Sequence, residues 1–129
     1  MKYQNEIVEQ LKELATNISY FSGIGWWYFK YESYQMVYIP INDTSDMIRL
    51  CIPHFDDANQ YESESLAKAI NETNREVKYV KVVTLGNGSI SINYDHKYNG
   101  ENDSYSILLH MLKTLCFAAE YLKNKLSEK

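Results

Sequence analysis

The stretch Glu62–Tyr94, ESESLAKAINETNREVKYVKVVTLGNGSISINY, decides the fold. In its first half Leu66, Ala69, Ile70 and Thr73 recur at helical spacing, with Lys68, Glu72 and Arg75 between them. That is one apolar stripe on a solvated helix. Asn59 followed by Glu62 fits a capping-box-like start, in which an Asx side chain accepts from the first turn. Asn71 and Asn74 compete with the backbone for hydrogen bonds and predict fraying near Asn74. The period then drops to two. Val77, Tyr79, Lys81, Val83 and Leu85 alternate with Lys78, Val80, Val82 and Thr84, and the valine density argues a strand. Val80 and Val82 make its second face apolar as well, which predicts a central strand. Asn87-Gly88 tolerates positive φ at both central turn positions and predicts a tight hairpin. Ser89 to Tyr94 alternates again, with Ile90, Ile92 and Tyr94 on one face.

Outward from this stretch, residues 3–16 read as a helix with Ile7, Val8, Leu11, Leu14 and Ala15 as its stripe. Ile18 extends it and Asn17 and Ser19 end it. Gly23-Ile24-Gly25 opens a run dense in aromatics: Trp26, Trp27, Tyr28, Phe29, Tyr31, Tyr34 and Tyr38. Aromatics favour strands, predicted over 25–32 and 35–41 with a turn at Glu32-Ser33 and a stop at Pro40 and Asn42-Asp43. Met47 to Ile52 is a third strand, with Ile48, Leu50 and Ile52 facing one way and Arg49 the other. Pro53 to Asp57 reads as a loop into the central helix. After a polar stretch from Tyr94 to Asp103, Asn102-Asp103-Ser104 offers N-caps for a helix over 104–126. Leu108, Leu112, Leu115, Ala119, Leu122 and Leu126 form its seam, and Leu109, Met111, Cys116, Phe117 and Tyr121 widen it. Such breadth predicts burial on more than one side, by the sheet and by a second subunit. The order α-β-β-β-α-β-β-α bunches strands together instead of alternating them with helices. It predicts an α+β fold, a single domain over 1–129, with a mostly antiparallel sheet of about five strands and helices packed against it.

At 129 residues the chain is of single-domain size, long enough for a real core. Hydrophobic content of 45% and charged content of 23% describe an ordinary globular protein. The net charge of -4 argues against nucleic acid as a partner, because phosphate binding needs clustered Lys and Arg. Cys51 and Cys116 each stand among apolar neighbours, far apart in the chain, and read as reduced buried thiols. The start, Met1-Lys2-Tyr3-Gln4-Asn5-Glu6, lacks an apolar signal core, and no apolar run is long enough to span a bilayer. The expectation is a cytoplasmic protein with no membrane partner.

A helix carrying Ala67, Asn71 and Asn74, a VKYVKVV strand, a glycine-containing turn, a SISINYD strand and a long Leu-rich terminal helix resemble the bacterial YbjN family. That family shares its fold with class I type III secretion chaperones. MIRLCIPHF is similar to the proline-ended strand that precedes the helix in those proteins. The resemblance covers residues 35–125. It implies a small α+β domain, often a homodimer, that holds other proteins and brings no catalytic residues with it. Trp26-Trp27 and the tyrosine-rich first hairpin depart from that pattern.

His54, Asp56 and Asp57 are the best cluster of ionisable groups, a candidate base or metal site that His96 or His110 would have to complete in space. Set against this, Asp56 and Asp57 are solvated carboxylates at a helix start, where the dipole favours them. Asp95 to Ser106 places Asp95, Asn99, Gly100 and Asp103 at calcium-loop offsets. Lys97 stands at a ligand position, however, and Ser106 replaces the bidentate Glu, so no cation loop is expected. Ser22-Gly23-Ile24-Gly25 lacks the Lys and the strand-before-helix context of a phosphate cradle. No cofactor is expected. The first hairpin carries the functional expectation. In a strand Trp26, Tyr28 and Lys30 share one face and Trp27, Phe29 and Tyr31 the other, while helices need only one face of a sheet. Trp26, Trp27, Tyr28, Phe29 and Tyr31 are therefore the candidate interaction surface. The reading is a non-enzymatic domain that binds a protein or peptide. Its alternatives are a small immunity or antitoxin-like protein that blocks a basic toxin and a small metal-dependent enzyme using His54, Asp56 and Asp57.

Overall fold

The computed structural model describes residues 4–41, 47–98 and 103–127. In chain order these form α1 (Gln4–Leu14), β1 (Thr16–Phe21), β2 (Trp26–Tyr31), β3 (Tyr34–Pro40), β4 (Met47–Asp57), a 3-10 turn (Ala58–Gln60), α2 (Ser63–Glu76), β5 (Val80–Thr84), β6 (Ser89–Lys97) and α3 (Ser104–Ser127). The strands make one six-stranded sheet in the order β1-β2-β3-β4-β6-β5, and every neighbouring pair is antiparallel. The α+β class and antiparallel sheet are as expected; the sixth strand is not.

That strand is β1. Residues 16–19, read as the last turn and stop of the first helix, and Tyr20 and Phe21 after them pair instead with β2, Ser19 opposite Tyr28 and Phe21 opposite Trp26. β-branched Thr16 and Ile18 and aromatic Tyr20 and Phe21 favour extended backbone over a further helical turn. Asn17, at φ 57°, adopts the left-handed conformation that Asn tolerates. It sits in the register shift between Thr16 and Ser19.

β4 outruns its expected end in the same way. The residues read as a loop are a bulge: Ile52 pairs with Ile92 and Asp56 with Ile90, so Pro53, His54 and Phe55 are accommodated without breaking the strand. A bulge is where proline is tolerated in a sheet.

β5 is an edge strand, which corrects the expectation of a central one. It begins at Val80, after Tyr79 at φ 73°. Val80 and Val82 turn inward, while Lys81 is exposed. Its second neighbour is a side chain: Asn74 Nδ2 donates to the Val82 carbonyl (3.1 Å), and the Val82 N–H donates to Asn74 Oδ1 (2.6 Å). Asn74 does not fray α2, which continues to Glu76.

One core joins the inward strand residues to all three helices. Phe29, Met36, Tyr38, Ile48, Leu50, Ile52, Ile90 and Ile92 meet Ile7 and Leu11 of α1, Leu66 and Ala69 of α2, and Leu108, Met111, Leu112, Leu115 and Leu122 of α3. Each fully buried side chain of this kind contributes about 1.5–3 kcal/mol. The apolar breadth of α3 is used within the chain, between the sheet and the two other helices. Phe117 remains exposed, and Tyr121 packs beside it at 6.4 Å.

Candidate interaction surface

Period-two alternation divides β2 between two environments. Phe29 is 1% exposed and belongs to the core, and Trp27 and Tyr31 pack partly buried against it. Phe29 is therefore not available to a partner, which corrects its place in the expected surface. Trp27 leans on Tyr20, ring centroids 4.5 Å apart. Its buried Nε1–H meets no acceptor among the described residues. Trp26 and Tyr28 face the other side of the sheet, which we call the outer face.

Register extends that face across the strands. Ser19, Tyr28, Val37, Cys51, Asn93 and Lys81 form one row, and Phe21 with Trp26, then Ile39, Arg49 and Asp95, lie in the next. Among the described residues no helix contributes to it. Val37 and Cys51 are 0% and 3% exposed, yet they lie outside the cluster that the helices cover. They are cross-strand partners at mid-sheet. Burial pushes the Cys51 thiol up to about 12. Cys116 is pushed up to about 11, also by burial first, and both thiols are free.

Over the β1–β2–β3 half the face is aromatic. Phe21 and Tyr28 lie 4.7 Å apart at 51°, and Trp26 and Tyr28 6.4 Å apart at 41°. Phe21 is 53% exposed. The connecting turn adds Ile24, and it closes through the Ile24 and Gly25 N–H groups donating to the Phe21 carbonyl. Phe21, Val37 and Ile39 escaped the sequence reading. Recognising Ser19 and Phe21 as a strand face would have found the first.

Over the β4–β6–β5 half the face is polar. Arg49 forks onto Asp95, Nε to Oδ1 at 2.7 Å and Nη2 to Oδ2 at 3.0 Å. This hydrogen bonding raises the guanidinium further above its ordinary value. Ser91 Oγ donates to Asn93 Oδ1 at 2.8 Å. Lys81 and Lys97 are exposed here, and half-buried Lys30 lies on β2.

Of His54, Asp56 and Asp57, the structure brings the first two to one cleft and leaves Asp57 out of its lining. His54 Nδ1 lies 2.9 Å from Ser89 Oγ. Asp56 accepts from the Asp57 N–H (2.8 Å) and from the Tyr61 hydroxyl, a bond that pushes the Tyr61 phenol up to about 12. Asp57 accepts from the Asn59 N–H (2.9 Å) and so caps the 3-10 turn. His54 and Asp56 line a cleft of about 400 Å³ with Tyr34, Pro53 and Lys123. His110 instead meets Tyr79 and Tyr94 edge-on at 5.9 Å each. Among the described residues no group of three or more His, Cys, Asp or Glu is placed to hold a metal ion. Asp95 is committed to Arg49, and Asp103 accepts from the Ser106 N–H (3.0 Å) at the start of α3. Asn42-Asp43, Asn99, Gly100 and Asn102 lie outside the described residues. Ser22 to Gly25 joins two strands, so it lacks the helix that a phosphate cradle needs. No described helix is long and apolar enough to cross a membrane.

No family model matches the chain, and no curated protein does. Among solved structures it is similar to an uncharacterized protein from Methanothermobacter thermautotrophicus, with a TM-score of 0.66, 13% identity and 95% of each chain covered. At that identity the likeness concerns the fold alone.

Proposed function

We propose that the chain is a non-enzymatic, cytoplasmic binding domain of the kind the YbjN and secretion-chaperone resemblance implies. It holds a protein or peptide against the outer face of its sheet. The observation that carries this reading is an aromatic cluster, Phe21, Trp26 and Tyr28, on a face to which no described helix contributes. Large aromatics with low side-chain entropy are the usual anchors of an interface, and Phe21, Trp26 and Tyr28 lie on the face opposite the described helices. The rows around them hold buried Val37 and Cys51 and half-buried Ile39, a composition suited to contact.

Affinity capture from native lysate tests the reading. The double variant Trp26→Ala with Tyr28→Ala is compared with Phe117→Ala, which removes a more exposed aromatic from the helical side. Loss of a captured partner in the double variant alone is the expected result. Equal capture by all three proteins, with melting curves showing each folded, removes the outer face from the mechanism.

A further inference from the structure

We infer that the occupant of the outer face is an acidic, extended polypeptide segment with an apolar or aromatic anchor; this rests on the surface reading above and adds the chemistry of the partner. Between the Lys30–Gln35 and Met47–Lys97 registers the face presents four cations, Lys30, Arg49, Lys81 and Lys97, against one anion, Asp95. The remainder of the chain then holds nine of the thirteen cations and sixteen of the seventeen anions. The net charge of -4 therefore hides a division, a basic stretch of the outer face set against an acidic remainder, with Asp57 opposite Ser89 as the next anion beyond that stretch. Arg49 is already matched by Asp95 through two hydrogen bonds, so the lysines supply the surplus. They stand at the margins: Lys30 beside the aromatic cluster, Lys81 on the far edge strand, Lys97 at the end of β6.

The arrangement is an apolar centre with a cationic rim, and it is complementary to a chain with an apolar centre and anionic flanks. From β2 to β5 the face crosses four strand spacings, about 19 Å, which about six extended residues span. A second copy seated face to face is disfavoured, because it would set three unmatched lysines against three. Single-stranded nucleic acid shares the need for cations and aromatics. Its bases, however, stack on open ring faces, and here the rings tilt into one another at 41° and 51°.

Titration into the ¹⁵N-labelled protein tests the assignment. The probes are a short synthetic peptide with Glu and Asp flanking a central Leu-Phe, its Gln/Asn analogue, and an oligouridylate. The acidic peptide is expected to shift the Trp26 indole and the amides of Tyr28, Val37 and Lys81. It should bind about tenfold more tightly than the neutral analogue, summing modest gains from exposed pairs, and weaken as salt is added. The variant Lys30→Gln with Lys81→Gln and Lys97→Gln should erase the preference while keeping its dispersed spectrum. Equal binding of acidic and neutral peptides at this face overturns the inference and leaves the surface reading standing. Peptide shifts confined to the helical side, or binding of oligouridylate alone, overturn both. Absence of binding by every probe overturns the inference, and the capture experiment then decides the surface reading by itself.

Discussion

Two residues show how the sheet settles its local conflicts. Asn74 costs α2 about 0.5–0.7 kcal/mol relative to Ala in propensity, yet its amide satisfies both the N–H and the C=O of Val82. Stranding those groups costs about 1–3 kcal/mol, so the second effect wins. Asn74→Ala is expected to lower stability by about 1–2 kcal/mol, read as a lower urea midpoint. The same change uncovers a strand edge rich in valine, so light scattering should rise on concentrated storage; an unchanged midpoint would dismiss the clamp. Cys51 gives a pH signature. Its thiol is raised by burial to about 12, while the unfolded chain ionises it near 8.5. The unfolded state therefore releases its proton first. The stability held below the unfolded value is lost as pH rises toward the folded one, at up to about 1.4 kcal/mol per pH unit. Cys51→Ala should show a shallower alkaline decline than the parent protein, and parallel declines would count against burial as the cause.

At the level of elements, the β5–β6 hairpin corrects its own sequence signal. Asn87-Gly88 predicts a two-residue turn, but only Gly88 has positive φ, at 91°. The Gly88 N–H donates to the Leu85 carbonyl, and the Leu85 N–H to that of Ser89. This is a three-residue loop ending in a left-handed glycine, the second common solution for a hairpin. A Cβ on Gly88 would meet Asn59 Nδ2 at 2.8 Å and Asp57 Oδ1 at 3.3 Å. Gly88→Ala thus sets backbone strain against the cap of the 3-10 turn, and a loss of about 1–3 kcal/mol is expected in chemical denaturation; a neutral result would show that the turn relaxes. The elements legible in the sequence were those whose burial is periodic. Leu66, Ala69 and Thr73 on α2, and Ile90, Ile92 and Tyr94 on β6, carry their faces openly. β1 was hidden because Ile18 is its lone half-buried residue, and an edge strand needs no apolar alternation. The edge position of β5 was hidden for the opposite reason: Val83 on its outer face imitates two-sided burial, and the Asn74 clamp is a tertiary contact that no local pattern encodes. The outer face followed from strand alternation at Trp26 and Tyr28. Of its cationic rim, Lys30 shares that alternation, while Lys81 and Lys97 came from the β5 and β6 registers, which are set by pairing.

The whole molecule is a sheet with helices on one face and an aromatic, lysine-rimmed face opposite, and this polarity bears on assembly. The breadth of α3 suggests a homodimer in sequence. In the fold α1, α2 and the sheet absorb most of that breadth and leave Phe117 exposed. The aromatic half of the outer face is one candidate for a dimer contact, but three unmatched lysines against three oppose self-pairing there. Exposed Phe117 and its neighbour Tyr121 on α3 carry no such penalty. Light scattering on a size-exclusion column fixes the mass, and tryptophan emission in a Trp27→Phe background reports the environment of Trp26 alone. Dilution across the micromolar range is expected to leave that emission unchanged, whether or not the mass halves, because any self-association avoids the outer face. A red shift that tracks dissociation would place the dimer on the aromatic cluster. It would make the face a site for a second copy rather than for an acidic chain, and the lysine rim would then need a different explanation.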